Sequence, residues 1–193
     1  MMSILIVGAN GQLARHTTAR LLAETDSRLT LFLRRASRLP NPDPARVTIV
    51  EGDATNEAAL TVAMKGQDAV YASLAGEMGQ QARAIVGAMH RAGLKRLIFI
   101  SSMGIYGEVP GESYRSILDP YRDSAAVIGA SDLDYTILRP GRFTRGPSID
   151  FTITHKGEPF KGHDVSMNSL AYLIAKLCLS PSLHVRSSLG VSN

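Results

Sequence analysis

Seven residues near the start of the chain, G-A-N-G-Q-L-A from Gly8 to Ala14, restrict its fold more than any other feature. They follow Ser3 to Val7 (SILIV), a short β-branched run stopped by glycine, which reads as a buried parallel strand. From Gln12 to Glu24 the spacing of Leu13, Thr17 and Leu21 is helical. In a strand, tight turn and helix unit, the first glycine permits the turn and the second lets backbone approach a pyrophosphate. A small third residue lets the helix pack on the strand. Gly8, Gly11 and Ala14 fill those three places. The free N–H groups around Gln12 and Leu13 then face phosphates, where the helix dipole favours negative charge. Lying between a strand and a helix, the motif reads as a dinucleotide cradle rather than an ordinary tight turn.

The same alternation continues along the chain. Strands are expected at Leu29 to Leu33, Arg46 to Val50, Asp68 to Ser73, Lys95 to Ser101 and Asp134 to Leu138. Helices are expected at about Asn56 to Met64 and at Met78 to Ala92. Asp119 reads as an N-cap followed by proline at the first helical position, opening a helix to about Ala130. After Gly146 the pattern weakens. Phe151 to His155 alternates like an exposed strand, Lys156 to Pro159 is turn chemistry, Asn168 to Cys178 is amphipathic, and Ser187 to Val191 reads as a last strand. The whole predicts one α/β domain, a Rossmann-like doubly wound parallel sheet with helices on both faces. Its nucleotide-binding core covers about residues 1–145, and about 146–193 form a short substrate-side annex.

Cofactor choice turns on the residues at the end of the second strand. A carboxylate there holds a ribose 2′-hydroxyl, whereas arginine accommodates a 2′-phosphate. Leu33 is followed by Arg34 and Arg35, so NADP(H) is favoured and NAD(H) is the alternative. Neighbouring side chains at a strand end point to opposite faces, which leaves open which arginine holds the phosphate. Asp53 ends the third strand, at the right edge to accept from an adenine amino group, although a turn or cap role fits it as well.

Composition removes other classes. The 193 residues are 45% hydrophobic and 20% charged with a net charge of +4, enough for a core and too little for a nucleic-acid surface. The basic residues Arg34, Arg35 and Arg38 form one short cluster rather than a face. No apolar stretch reaches the ~18–20 residues of a membrane helix, and Met1 to Val7 lacks signal-peptide features, so a cytoplasmic protein is expected. The single cysteine, Cys178, reads as core. His16, His90, His155, His163 and His184 show no ligand spacing, and no metal is expected. Ser101 and Ser102 lack the surroundings of a hydrolase nucleophile.

Together, GANGQLA, LRR, EGDATN, SLAG, IFISSMGIYG and DLDYTILRPGRF resemble the atypical short-chain dehydrogenase/reductases, the NAD(P)-binding group that includes NmrA-like and biliverdin/flavin-reductase-like proteins. The resemblance covers almost the whole chain and is weakest after Gly146. It implies that Gly8, Asn10, Gly11, Gln12 and Leu13 line the pyrophosphate and Arg34 with Arg35 the adenosine phosphate. Asp53 and Ala54 would meet the adenine, and Leu74, Ala75 and Gly76 the nicotinamide ribose. By the same likeness Ser101 and Ser102 stand beside the nicotinamide, with Pro140 and Gly141 near its carboxamide.

The chain departs from the superfamily's Y-x-x-x-K pair, in which an ammonium lowers the tyrosine pKa. Tyr121 is followed four residues on by Ala125, and Tyr106 by Pro110. Where the flavin-reductase relatives carry a histidine stands Arg142. Arginine does not donate a proton near neutral pH but stabilises an anion. Two functions are consistent with this pattern. One is a reductase passing hydride from NADPH to a quinone, flavin or conjugated carbonyl, with Ser102, Tyr121 and Arg142 at the acceptor. The other is a non-catalytic NADP(H)-sensing regulator of the NmrA-like kind. A small-molecule substrate, no nucleic-acid or membrane partner, and a monomer or homodimer are expected.

Overall fold

Within the first strand, β1 (Ser3–Val7), Ile4 and Ile6 pack to one side and Leu5 and Val7 to the other, each with no measurable exposure. Successive side chains of a strand alternate faces, so a run apolar at every position requires cover on both. A computed structural model describing residues 1–193 supplies that cover. On the Ile4 side lie α1 (Gln12–Glu24) and α5 (Met167–Leu179). On the Leu5 side lie α2 (Glu57–Met64), α3 (Met78–Ala92) and α4 (Asp119–Gly129).

The other strands are β2 (Arg28–Leu33), β3 (Val47–Glu51), β4 (Ala69–Ala72), β5 (Arg96–Ile100), β6 (Asp134–Pro140), β7 (Arg142–Thr144), β8 (Thr152–His155), β9 (Asp164–Ser166) and β10 (Ser187–Ser192). Eight of the ten strands form a sheet in the order β3-β2-β1-β4-β5-β6-β10-β8, parallel except for β8 against β10. The order reverses between β1 and β4, and such a switch point opens a crevice at the carboxyl ends of the strands.

Elements expected from periodicity stand within two residues of their expected ends. Caps explain several boundaries: the Asn56 side chain accepts from the Ala59 N–H at 3.0 Å, and the Ser166 side chain from the Ser169 N–H at 2.9 Å. Asp119 is not an N-cap. It lies inside the first turn of α4, and its carboxylate is taken by the Tyr114 hydroxyl and by Arg122. The segment after Gly146 is more integrated than its weak periodicity implies, because β8 and β10 extend the main sheet and α5 covers β4 and β5. Sequence spacing also gives no sign of β7 and β9, three-residue strands that pair as a separate two-stranded sheet. Gly141 makes that pairing feasible, since a Cβ there would lie 2.4 Å from the His163 carbonyl oxygen.

Candidate active site: a cleft at the switch point

The turn from β1 into α1 forms the floor of a cleft of about 1000 Å³. Gly8 has φ +83°, and a Cβ on it would stand 2.1 Å from the Ser73 carbonyl oxygen, so the fold itself demands glycine here. Gly11 differs. Its φ of −64° suits any residue, and a Cβ would meet nothing closer than the Gly8 oxygen at 3.4 Å. Open space above a glycine that the backbone does not need is what close approach of a ligand requires. Gly11 is also the N-cap of α1 and offers no side chain to the helix N–H groups. The first helical bond runs from Arg15 N–H to the Gly11 oxygen, leaving the amides of Gln12, Leu13 and Ala14 without a backbone acceptor. Those amides and the helix dipole make an anion cradle. The side chain of Leu13 is buried in the α1–α5 core, so only its backbone faces that end.

Arg34, Arg35 and Arg38 line the cleft together. A turn at Ala36–Arg38 brings the third arginine back, and the Glu51 carboxylate fixes that turn by accepting from the Ala36 N–H at 2.8 Å. None of the three guanidinium groups lies within ion-pair distance of a carboxylate. Arg15 braces this region, donating to the Asn10 side chain and to the Arg38 carbonyl. Asp53 accepts from the Thr55 N–H at 2.8 Å and from its hydroxyl at 2.7 Å. These bonds, with a smaller contribution from Arg34, hold its carboxyl below the ordinary aspartate value. Ala54, Leu74, Ala75 and Gly76 complete the walls.

Sequence reasoning missed Arg38 as a lining residue, although its i, i+3 relation to Arg35 was a usable signal. It also missed Gln81, in the first turn of α3, whose Nε2 donates to the Ala75 carbonyl at 3.1 Å while its buried Oε1 has no partner. No sequence pattern marks that residue.

The residues expected around an acceptor are more scattered. Ser101 is buried and its hydroxyl has no partner, whereas Ser102 donates to the Met103 carbonyl at 3.1 Å. Pro140 ends β6, and its carbonyl accepts from the Met103 N–H at 3.2 Å. The Gly141 N–H is spent on Val191, at 2.9 Å. Tyr121 packs against the α3–α4 core, and Ala125 lies inside that core at 4% exposure, so the α4 face carrying the Y-x-x-x-A segment is a packing face. Arg142 is not a free cation. It pairs with Asp164 through Nε at 3.1 Å and the Nη2 group at 3.2 Å, and His163 binds the same carboxylate at 2.7 Å. The hydrogen bond to Asp164 raises the Arg142 pKa, and Asp164 is held below its ordinary value by Arg142 and then His163.

Elsewhere, burial pushes the Cys178 thiol up to about 12, so it is not a reactive thiolate. No three His, Cys, Asp or Glu side chains converge on a common point. No helix is long and apolar enough to cross a membrane.

Comparison with known proteins agrees with this geometry. The NAD(P)H-binding family model matches residues 8–181. A Rossmann-fold NAD(P)-binding family protein from Shigella flexneri is 41% identical, with a TM-score of 0.88 over 100% of this chain and 94% of that one. A short-chain dehydrogenase/reductase from Veillonella parvula DSM 2008, solved in complex with NADP, is 30% identical, with a TM-score of 0.91 over 100% and 94%. Quinone oxidoreductase 2 of Escherichia coli (strain K12) is 26% identical over 145 residues, 73% of this chain and 49% of that protein. The chain therefore aligns with about half the length of that curated relative.

Proposed function

The chain belongs to the NAD(P)H-binding family, and on that premise we propose that it is an NADPH-dependent reductase acting on an acceptor that delocalises negative charge, such as a quinone, flavin or conjugated carbonyl. The observation that carries the cofactor choice is the trio Arg34, Arg35 and Arg38, gathered on one cleft and free of ion pairs. A guanidinium fork matches a phosphate bidentately, and a 2′-phosphate is the feature that separates NADPH from NADH. The residues suit the whole dinucleotide. The α1 amides would take the pyrophosphate, the free oxygen of Asp53 the adenine amino group, and the unpaired Gln81 Oε1 a hydroxyl donor.

The bound nicotinamide would supply the hydride. The protein's share is position and electrostatics. Proton delivery by a lowered-pKa tyrosine is not available, because Ala125 stands in the core where the pair would need its lysine. Acceptors that spread charge over a conjugated system need little acid assistance, and simple ketones need much more. Ser102, by reorienting its hydroxyl from the Met103 carbonyl, would donate to the acceptor. Tyr121 would form a wall, and Arg142, held by Asp164, would lend a partial positive field rather than a full charge. The similarity to a quinone oxidoreductase supports this acceptor class. The missing lysine equally supports the second reading, an NADP(H)-sensing protein without turnover.

An assay of NADPH oxidation against a panel of quinones and flavins tests the proposal. Turnover with at least one conjugated acceptor and little with simple ketones is expected. Tight NADPH binding with no turnover on the entire panel would instead establish the sensing role.

A further inference from the structure

On the far half of the sheet, a second groove of about 510 Å³ opens between α4 and the turn that follows β8. It shares no lining residue with the dinucleotide cleft. Four basic side chains line it, Arg122, His155, Lys156 and Arg186, and no carboxylate does. Of the neighbouring acids, Asp119 pairs with Arg122 of the groove itself, Glu108 with Arg139 and Asp132 with Lys95 and His90, and Glu158 accepts from the His155 backbone N–H. Lys156 and Arg186 have no ion-pair partner. Lys156 Nζ sits 4.6 Å from the centroid of the Tyr106 ring, and Arg186 donates only to the Asp132 backbone carbonyl at 3.1 Å.

The backbone makes an independent point. His184 and Arg186, at φ 51° and 53°, are the only non-glycine residues in the left-handed region. L side chains are strained there and glycine is not, so the turn into β10 does not account for an arginine at that position. Such strain is characteristic of residues held for a contact. At the groove floor, the Ser188 hydroxyl oxygen accepts from Arg139 Nε at 3.0 Å and from the Tyr106 hydroxyl at 3.2 Å. With both lone pairs engaged, its own proton has no acceptor within the protein and is available as a donor.

We propose that this groove is a second ligand site, which takes a small molecule bearing a phosphate or carboxylate oxyanion, bound by Lys156 and Arg186 and by the Ser188 hydroxyl. The site does not depend on the reductase reading, because its charge and geometry are separate from the dinucleotide cleft.

Nuclear magnetic resonance titration of the full chain with inorganic pyrophosphate, and separately with citrate, tests it. Saturable shifts are expected at the amides of residues 155–156 and 186–188. Response to pyrophosphate alone identifies a phosphate ligand, and response to citrate alone a carboxylate. Loss of one charge-assisted bond in Lys156→Ala or Arg186→Gly should weaken binding about tenfold or more. Arg34→Ala with Arg35→Ala should leave these shifts unchanged. Arg186→Gly relieves the left-handed strain, so it should melt no lower than the native chain, which separates lost affinity from lost structure. No saturable shift with either probe, or shifts unaltered in both variants, would overturn the proposal.

Discussion

The arginines of the switch-point cleft and three arginines beyond β5 are used in opposite ways. At the carboxyl ends of β1 to β4, Arg34, Arg35 and Arg38 stand on the cleft wall without a carboxylate. Beyond β5, Arg122, Arg139 and Arg142 each have one. The Arg139–Glu108 pair is the extreme case, with side-chain exposures of 0% and 5%. Glu108 also accepts from the Gly104 N–H at 3.0 Å and the Tyr106 N–H at 2.9 Å, fastening the loop after β5 onto β6. A partnered guanidinium holds the protein together, and an unpartnered one lining a cavity is available to a ligand.

The largest effect should come from breaking the buried pair. Glu108→Ala strands a buried guanidinium and should cost about 3–5 kcal/mol in urea unfolding. Burial alone would push the Glu108 carboxyl up, but backbone N–H groups and Arg139 outweigh it and hold the group below its ordinary value. A lowered folded-state pKa gives stability that is complete above the unfolded value and disappears as pH falls through the folded one. The native chain should therefore lose stability in acid more steeply than Glu108→Gln. Equal acid slopes would remove Glu108 as the fastening of that loop.

The glycines of the opening motif give the next contrast. Gly8→Ala meets both a left-handed backbone and the Ser73 carbonyl, and should destabilise by about 2 kcal/mol or more. Gly11→Ala should leave stability within about 1 kcal/mol, since the conformation suits alanine and only the N-cap preference is lost. Its cost should fall on dinucleotide binding. A Gly11→Ala chain that binds as tightly as the native one would mean that no pyrophosphate lies over this turn. The smallest effect is expected from Arg142→Ala. Its partner Asp164 is also held by His163, and the pair faces solvent, so the thermal midpoint should barely move. A marked drop would make Arg142 structural and remove it from the acceptor side.

Legibility in the sequence divides along the same line. β1, α1, α3 and the cradle are readable because strand and helix periods alternate there without interruption and the first two glycines each have a physical reason. The two-stranded β7–β9 sheet is not, because three residues carry no period and its partners lie 22 positions apart, as in Arg142 opposite Asp164. Asp119 reads as a cap because Asp-Pro is ambiguous by one position, and in the structure its carboxylate is taken by the side chains of Tyr114 and Arg122 instead of the helix N–H groups. Arg34, Arg35, Asp53 and the 74–76 segment meet in one cleft, since strand ends of a parallel sheet converge. For the residues expected at an acceptor, the outcome depends on which way α4 faces. Tyr121 and Ala125 are one turn apart in either orientation, and packing against α3 turns that face to the core.

Isothermal titration of the native chain and of Arg34→Ala with Arg35→Ala, each with NADPH and NADH, tests the central claim most directly. The native chain should prefer NADPH, and the double variant should lose roughly 10–100-fold for NADPH alone, the equivalent of one or two charge-assisted bonds. Equal loss for both dinucleotides, or no uptake of either by the native chain, would contradict the assignment of the arginine-walled cleft to a 2′-phosphate.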